Sequence, residues 1–138
     1  MNGEAIFWPV LAQMGLTFAI YGLMSFRRMG SIRAGKAKAA DFRIPTVEPE
    51  PSATVARNLI NQFELPVLFY VACMLLFILG AAGQLAVILA WLFALSRIVH
   101  AYVHVTSNRL RFRRPLFMAG FVFALALWAL VGARLIAA

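Results

Sequence analysis

The sequence predicts an all-α integral membrane protein, a bundle of four transmembrane helices forming one domain over residues 1–138. Three observations predict it. Hydrophobic residues make up 63% of the chain and the mean hydropathy is +0.84, well above soluble globular proteins. Four apolar stretches, 5–26, 54–79, 81–107 and 112–136, each reach the ~20 residues that carry a helix across a ~30 Å hydrocarbon core. Basic residues occupy alternate connections: Arg27, Arg28, Arg33, Lys36, Lys38 and Arg43 fill the first, Arg109, Arg111, Arg113 and Arg114 the third, while Gly80–Gln84 carries no charge. The positive-inside rule therefore places connections one and three in the cytoplasm and both termini outside. The net charge of +8 is accounted for by topology and does not call for nucleic acid.

Taken in order, the first span carries Glu4 and no basic n-region, which sets it apart from a secretory signal. The polar loop 27–53 holds Pro45, Pro49 and Pro51, which suit an extended strap on the membrane surface. Ser52 or Thr54 is the expected N-cap of the second span. That span opens with Arg57, Asn61 and Glu64, spaced by four and three residues and hence on one face. Pro66 predicts a bend just beyond them, because it frees the carbonyl of Gln62. The Gly-Ala-Ala-Gly connection at 80–83 forces spans two and three into an antiparallel hairpin. Cys73 is the lone cysteine and lies mid-span as a packed thiol, which excludes disulfides and thiolate metal sites within one chain. Span three carries Arg97, His100, His104 and Asn108 on one face, with Arg111 one turn further, in the same cytoplasmic half as the first stripe. Pro115 is expected in the first turn of span four. Gly120 and Ala124 follow one turn apart and offer close packing to a neighbouring subunit.

A single Asn or His in a membrane helix is commonly interhelical glue worth about 0.6–2 kcal/mol, and Arg57 alone would be a snorkelling residue. Glu64 changes the balance. A carboxylate beside an apolar span needs partners, and Arg57 and Arg97 are the natural ones. Two polar stripes at one depth offer cations, amides and one carboxylate, a set suited to a small zwitterion with two carboxylates and an amine. His100 and His104 also have zinc-helix spacing with Glu64 as a third ligand. The neighbouring arginines would repel a dication, so no metal is expected.

These residues carry a resemblance. Arg57-x-x-x-Asn61-x-x-Glu64-x-Pro66 early in the second of four spans, with Arg97-x-x-His100 late in the third, resembles the membrane-associated proteins in eicosanoid and glutathione metabolism, the MAPEG family, in its bacterial-type members. The resemblance implies a homotrimer in a bacterial inner membrane, with glutathione as co-substrate held between subunits on the cytoplasmic side. It assigns glutathione binding to Arg57, Asn61 and Glu64 and sets Arg97 and His100 near the same site, where the span-three stripe adds His104 as a further expected binding residue. It assigns activation of the thiol to an arginine near the start of the fourth span, Arg113 first, with Arg111 and Arg114 as alternatives. Many active members carry a tyrosine where this chain has His104. The implied activity is a glutathione-dependent transferase or peroxidase acting on lipophilic electrophiles drawn from the bilayer. The same fold also serves non-catalytic lipid-binding or scaffold proteins.

Overall fold

A computed structural model describes residues 3–44 and 46–138; Pro45 of the strap lies outside them. After a 3-10 turn at Gly3–Ile6, helix α1 spans Phe7–Arg33, running well past the expected end at residue 26. Nothing between Phe26 and Arg33 breaks a helix, and the stop comes at Gly35, whose φ of 71° closes the last turn as Lys36 N–H reaches Ser31 O at 3.0 Å. Arg27, Arg28 and Arg33 are therefore helical and not part of a loop.

The connection is not extended throughout, because a 3-10 turn forms at Ala39–Arg43, where the Asp41 carboxylate accepts Lys38 N–H at 2.8 Å. Helix α2 spans Glu50–Asn61 and is entered through Pro49 at its N-cap. Neither Ser52 nor Thr54 caps it. Both lie inside the helix, their hydroxyls donating to Pro49 O and Pro51 O. Proline is tolerated at a helix start, so the helix begins upstream of the expected hydroxyl caps.

The second span is broken. Helix α3 covers Leu65–Ile78, and Gln62–Glu64 between α2 and α3 is non-helical, with Glu64 at φ −97° and ψ −101°. Pro66 cannot donate to residue 62 and its ring would clash with that carbonyl, so the chain restarts with Pro66 near a new N-terminus. The interruption falls within the Arg57/Asn61/Glu64 stripe, not beyond it. Those three residues do not share one helical face.

Helix α4 spans Gln84–Val105 and α5 spans Leu110–Ile136. The hairpin between α3 and α4 turns at Gly80, whose φ of 63° lies in the left-handed region. Because α5 begins at Leu110, Pro115 sits in its second turn, where its missing N–H leaves the Arg111 carbonyl without the usual helical donor. Four segments, Gly3–Arg33, Glu50–Ile78, Gln84–Val105 and Leu110–Ile136, are long and apolar enough to cross a membrane. No strand occurs among the described residues, so the chain is an all-helical, multi-pass membrane protein.

Arg27 ties one end together, its Nη1 donating to Pro51 O at 3.0 Å and its Nη2 to Val105 O at 2.8 Å. Both basic connections thus share an end. At the other end Arg134 Nε donates to Leu79 O at 3.2 Å. The main core lies toward that second end and includes Ile6, Phe69, Cys73, Leu76, Ala90, Phe93 and Leu127, with Phe69 and Phe93 stacked at 4.2 Å. A smaller cluster of Ile20, Val55 and Ala101 lies toward the basic end. Gly120 and Ala124 face this interior and not a neighbour: a Cβ on Gly120 would come within 3.2 Å of Ser96 Oγ and 3.3 Å of Arg97 Cδ. The small residues let α5 approach α4 inside one subunit.

Candidate functional site

Three of the helices, α1, α2 and α4, contribute buried polar side chains to the interior. Helix α1 supplies Gln13 and Thr17, α2 and the break supply Asn58 and Gln62, and α4 supplies Ser96, Arg97, His100 and His104, all of them buried. A buried amide in a bilayer must find partners. Here they find each other: Gln13 Nε2 donates to Gln62 Oε1 at 2.8 Å, Gln62 Nε2 to Asn58 Oδ1 at 3.0 Å, and Asn58 Nδ2 lies 3.1 Å from His104 Nδ1. Asn61 Nδ2 approaches the same imidazole nitrogen at 3.5 Å.

Arg97 is wholly buried, 0% exposed, and its one hydrogen bond is a long donation from Nη2 to Asn61 O at 3.4 Å. Its guanidinium lies 5.7 Å from the Phe117 ring centroid, a cation–π contact. Among the described residues its Nε and Nη1 have no acceptor, and Nδ1 of neighbouring His100 has no hydrogen-bond partner. A cleft of about 410 Å³ opens beside them, lined by Asn61, His100, Arg113, Arg114, Phe117 and Met118. A second of about 250 Å³, lined by Arg57, Ile60, Asn61, His104 and Arg113, shares the Asn61 and Arg113 walls.

The structure brings Arg57, Asn61, His100 and His104 to these clefts and sets Arg97 directly behind them. Glu64 stands outside the clefts, though its charge still acts on Arg97 through space. It is exposed and lines neither cleft, and among the described residues the only ion pair is Arg28–Glu48, so the expected bridges from Arg57 and Arg97 to Glu64 do not form. The break carries Glu64 off the α2 face. Asn108 and Arg111 also leave the expected α4 face, since that helix stops at Val105 and Asn108 takes φ 50°, a conformation asparagine tolerates. Asn108 Oδ1 instead accepts Arg113 Nη1 at 2.6 Å. Of the three candidate activating arginines, Arg113 lines both clefts, Arg114 lines one, and Arg111 stands over the Phe112 ring at 5.8 Å away from them. No group of three or more metal-ligating side chains assembles among the described residues.

Sequence spacing missed Gln13, Thr17, Asn58 and Gln62. Gln13 stands in a span without any other strongly polar neighbour, and an isolated amide in an apolar helix was the available signal. On the far side of Arg57 a third cavity of about 320 Å³ is walled by Met24, Phe42 and the Arg28–Glu48 pair. Arg28 Nε and Nη2 grip both Glu48 oxygens at 2.8 and 3.0 Å. These hydrogen bonds hold the Glu48 carboxyl below the usual carboxylate range, Ser52 adding to the effect and burial opposing it.

Neither the curated proteins nor the solved structures compared with the chain include a significant match. The MAPEG family profile, by contrast, matches residues 5–133, which is nearly the whole chain and all four spans. At family level this supports a membrane function of the glutathione-dependent transferase or peroxidase type. The four apolar spans, the polar layer between them and the extent of that match make this chain a member of the MAPEG family.

Proposed function

We propose that the chain is a glutathione-dependent transferase or peroxidase acting on lipophilic electrophiles that reach it through the bilayer. The observation that carries this is Arg97: a fully buried guanidinium, two of whose nitrogens have no hydrogen-bond partner among the described residues, behind a cleft lined by His100, Arg113 and Arg114. A buried cation with no carboxylate bonded to it is expensive, and an anion entering the cleft would relieve that cost. Glutathione brings two carboxylates and a thiol. Arg57, Arg97 and Arg114, with His104 beside Arg57, are assigned to its anionic groups, Asn61 and His100 to its polar backbone, and Arg113 to the sulfur.

A free thiol with a pKa of ~8.5 is only a few per cent ionised at neutral pH, and lowering that pKa by ~2 units takes about 2.7 kcal/mol. A poorly solvated arginine facing the sulfur supplies an effect of this size. Arg113 suits the role because Asn108 fixes one end of its guanidinium and leaves the rest toward the clefts. Glu64 is exposed among apolar Phe63, Val67 and Leu68, and a bare carboxylate there is costly against lipid. Adjacent copies in a homotrimer would cover it and complete the pocket, at the cytoplasmic end of an inner-membrane bundle.

Isothermal titration of the detergent-purified protein with glutathione tests the assignment. Binding should be lost in Arg97→Leu and kept in Arg113→Ala, while the ultraviolet absorbance of the bound thiolate disappears in Arg113→Ala together with turnover. A wild-type chain that neither binds glutathione nor turns over any thiol belongs instead with the non-catalytic lipid-binding members of this fold.

A further inference from the structure

The amide chain behind the clefts has a direction, and one backbone carbonyl sets it. Gln62 Nε2 lies 3.5 Å from Asn58 O as well as 3.0 Å from Asn58 Oδ1. A carbonyl can only accept, so the Gln62 end nearest it is the NH2 group, and Gln62 Oε1 turns to Gln13 Nε2 and Thr17 Oγ1. Asn58 Oδ1 is then spent on Gln62, which leaves Asn58 Nδ2 facing His104. The Asn61 amide nitrogen faces the same ring atom. The Asn58 N–H at 3.1 Å from Nδ1 requires a lone pair there, so the ring proton resides on Nε2. Nε2 has no hydrogen-bond partner among the described residues, and His104 lines the cleft with Arg57, Asn61 and Arg113.

Protonating Nδ1 would set an N–H against the Asn58 amide N–H, whose orientation Gln62 fixes. The charged side chains around the ring are likewise cationic: Arg57 from α2 and Arg113 from α5 share its cleft, Arg97 lies on its own helix, and Arg27 of α1 donates to the adjacent Val105 O at 2.8 Å, with the His100 ring 5.9 Å away.

We infer that His104 is a fixed, neutral Nε2–H donor to an anionic group of the bound ligand seated between Arg57 and Arg113, with Gln13, Gln62 and Asn58 as positioning residues that select its tautomer. This rests on the glutathione assignment only for the identity of the ligand. A short hydroxyl would turn to suit either an acceptor or a donor; the imidazole here is locked as a donor only.

The test is nitrogen-detected NMR of histidine-labelled full-length protein in detergent, with glutathione and, separately, inorganic sulfate as probes. The expected apo spectrum shows His104 as the Nε2–H tautomer without titration between about pH 5 and 8. Asn58→Asp, which offers Nδ1 an acceptor, should invert the tautomer and weaken binding. His104→Gln, whose amide nitrogen reproduces Nε2–H, should keep affinity within about threefold, while His104→Asn, which reproduces the Nδ1 side, should lose roughly tenfold or more, as expected for a bond to a charged group. An apo ring protonated at Nδ1, or titrating to imidazolium near its ordinary range, overturns the inference whatever glutathione does. So does His104→Asn binding as well as His104→Gln. If glutathione fails to bind but sulfate shifts the Nε2 resonance, the glutathione assignment falls and the donor stands. A resonance moved by neither probe overturns both.

Discussion

Gly120 is where the fit between α4 and α5 can be measured. A methyl at this position would lie 3.2 Å from Ser96 Oγ and 3.3 Å from Arg97 Cδ, closer than ordinary van der Waals contact. The serine cannot swing aside freely, because its hydroxyl donates to Phe93 O at 2.7 Å, and Arg97 is enclosed on all sides. Gly120→Ala should therefore meet an overpacking cost of about 1–3 kcal/mol, set against a helix-propensity gain of up to about 1 kcal/mol. Gly132 is the control: it lies in the same helix, and nothing in the chain comes within 4 Å of an added methyl. Gly132→Ala should show the propensity gain alone, so the two variants should differ by about 1–3 kcal/mol in denaturant unfolding in mild detergent, followed by tryptophan fluorescence. Ser96→Ala should recover part of the Gly120→Ala loss in a double-mutant cycle, since it removes one of the two obstructing atoms. Equal stability for Gly120→Ala and Gly132→Ala, within about 0.5 kcal/mol, would refute the tight seat that holds Arg97 under the cleft.

Two further outcomes follow from the charges. The Glu48 carboxyl titrates lower in the folded chain than in the unfolded one, so its clasp on Arg28 contributes fully above the ordinary carboxylate range near ~4.3 and fades as pH falls through it toward the lowered value. Glu48→Gln should cost about 1–3 kcal/mol at neutral pH, and its stability curve should meet the wild type in acid; a constant gap at every pH would contradict the ion pair. Arg57→Ala should change unfolding by less than about 0.5 kcal/mol, because Arg57 is exposed and holds no carboxylate, yet it should weaken glutathione binding. A large loss of stability would point to an Arg57 partner that the single chain does not supply.

The span count and the end at which polar chemistry gathers were legible in the sequence because both depend on one-dimensional quantities, hydropathy over ~20 residues and arginine placement. Arg57, Asn61, His100 and His104 reach shared clefts for the same reason: three- and four-residue spacing is reliable within an unbroken helix. Glu64 and Asn108 failed where the helix did. One lies past the Gln62–Glu64 break and the other past the end of α4, and extrapolating a face across either boundary assigns the wrong direction. Gln13 was not legible at all. Its role depends on Gln62 lying 49 positions away in sequence, a contact that only the packing of α1 against the break creates.

The break itself ties these errors to the chemistry. In a continuous helix the Asn61 carbonyl would bond the Leu65 N–H, and Gln62 would continue the turn that Asn58 and Arg57 belong to. With Pro66 forcing the restart, Asn61 O is released and becomes the sole acceptor of Arg97, while Gln62 tucks into the bundle to meet Gln13 and Asn58. The lost backbone bonds are replaced by the side chains that build the polar layer, which is why an interruption within a membrane span is tolerated here. Arg97 and His104 are thus positioned by one irregularity: the first through a freed carbonyl, the second through an amide chain that runs through the interrupted residue. Among the described residues the Nε and Nη1 of Arg97 stay unfilled behind the cleft, and these are the donors that the proposed anion would complete.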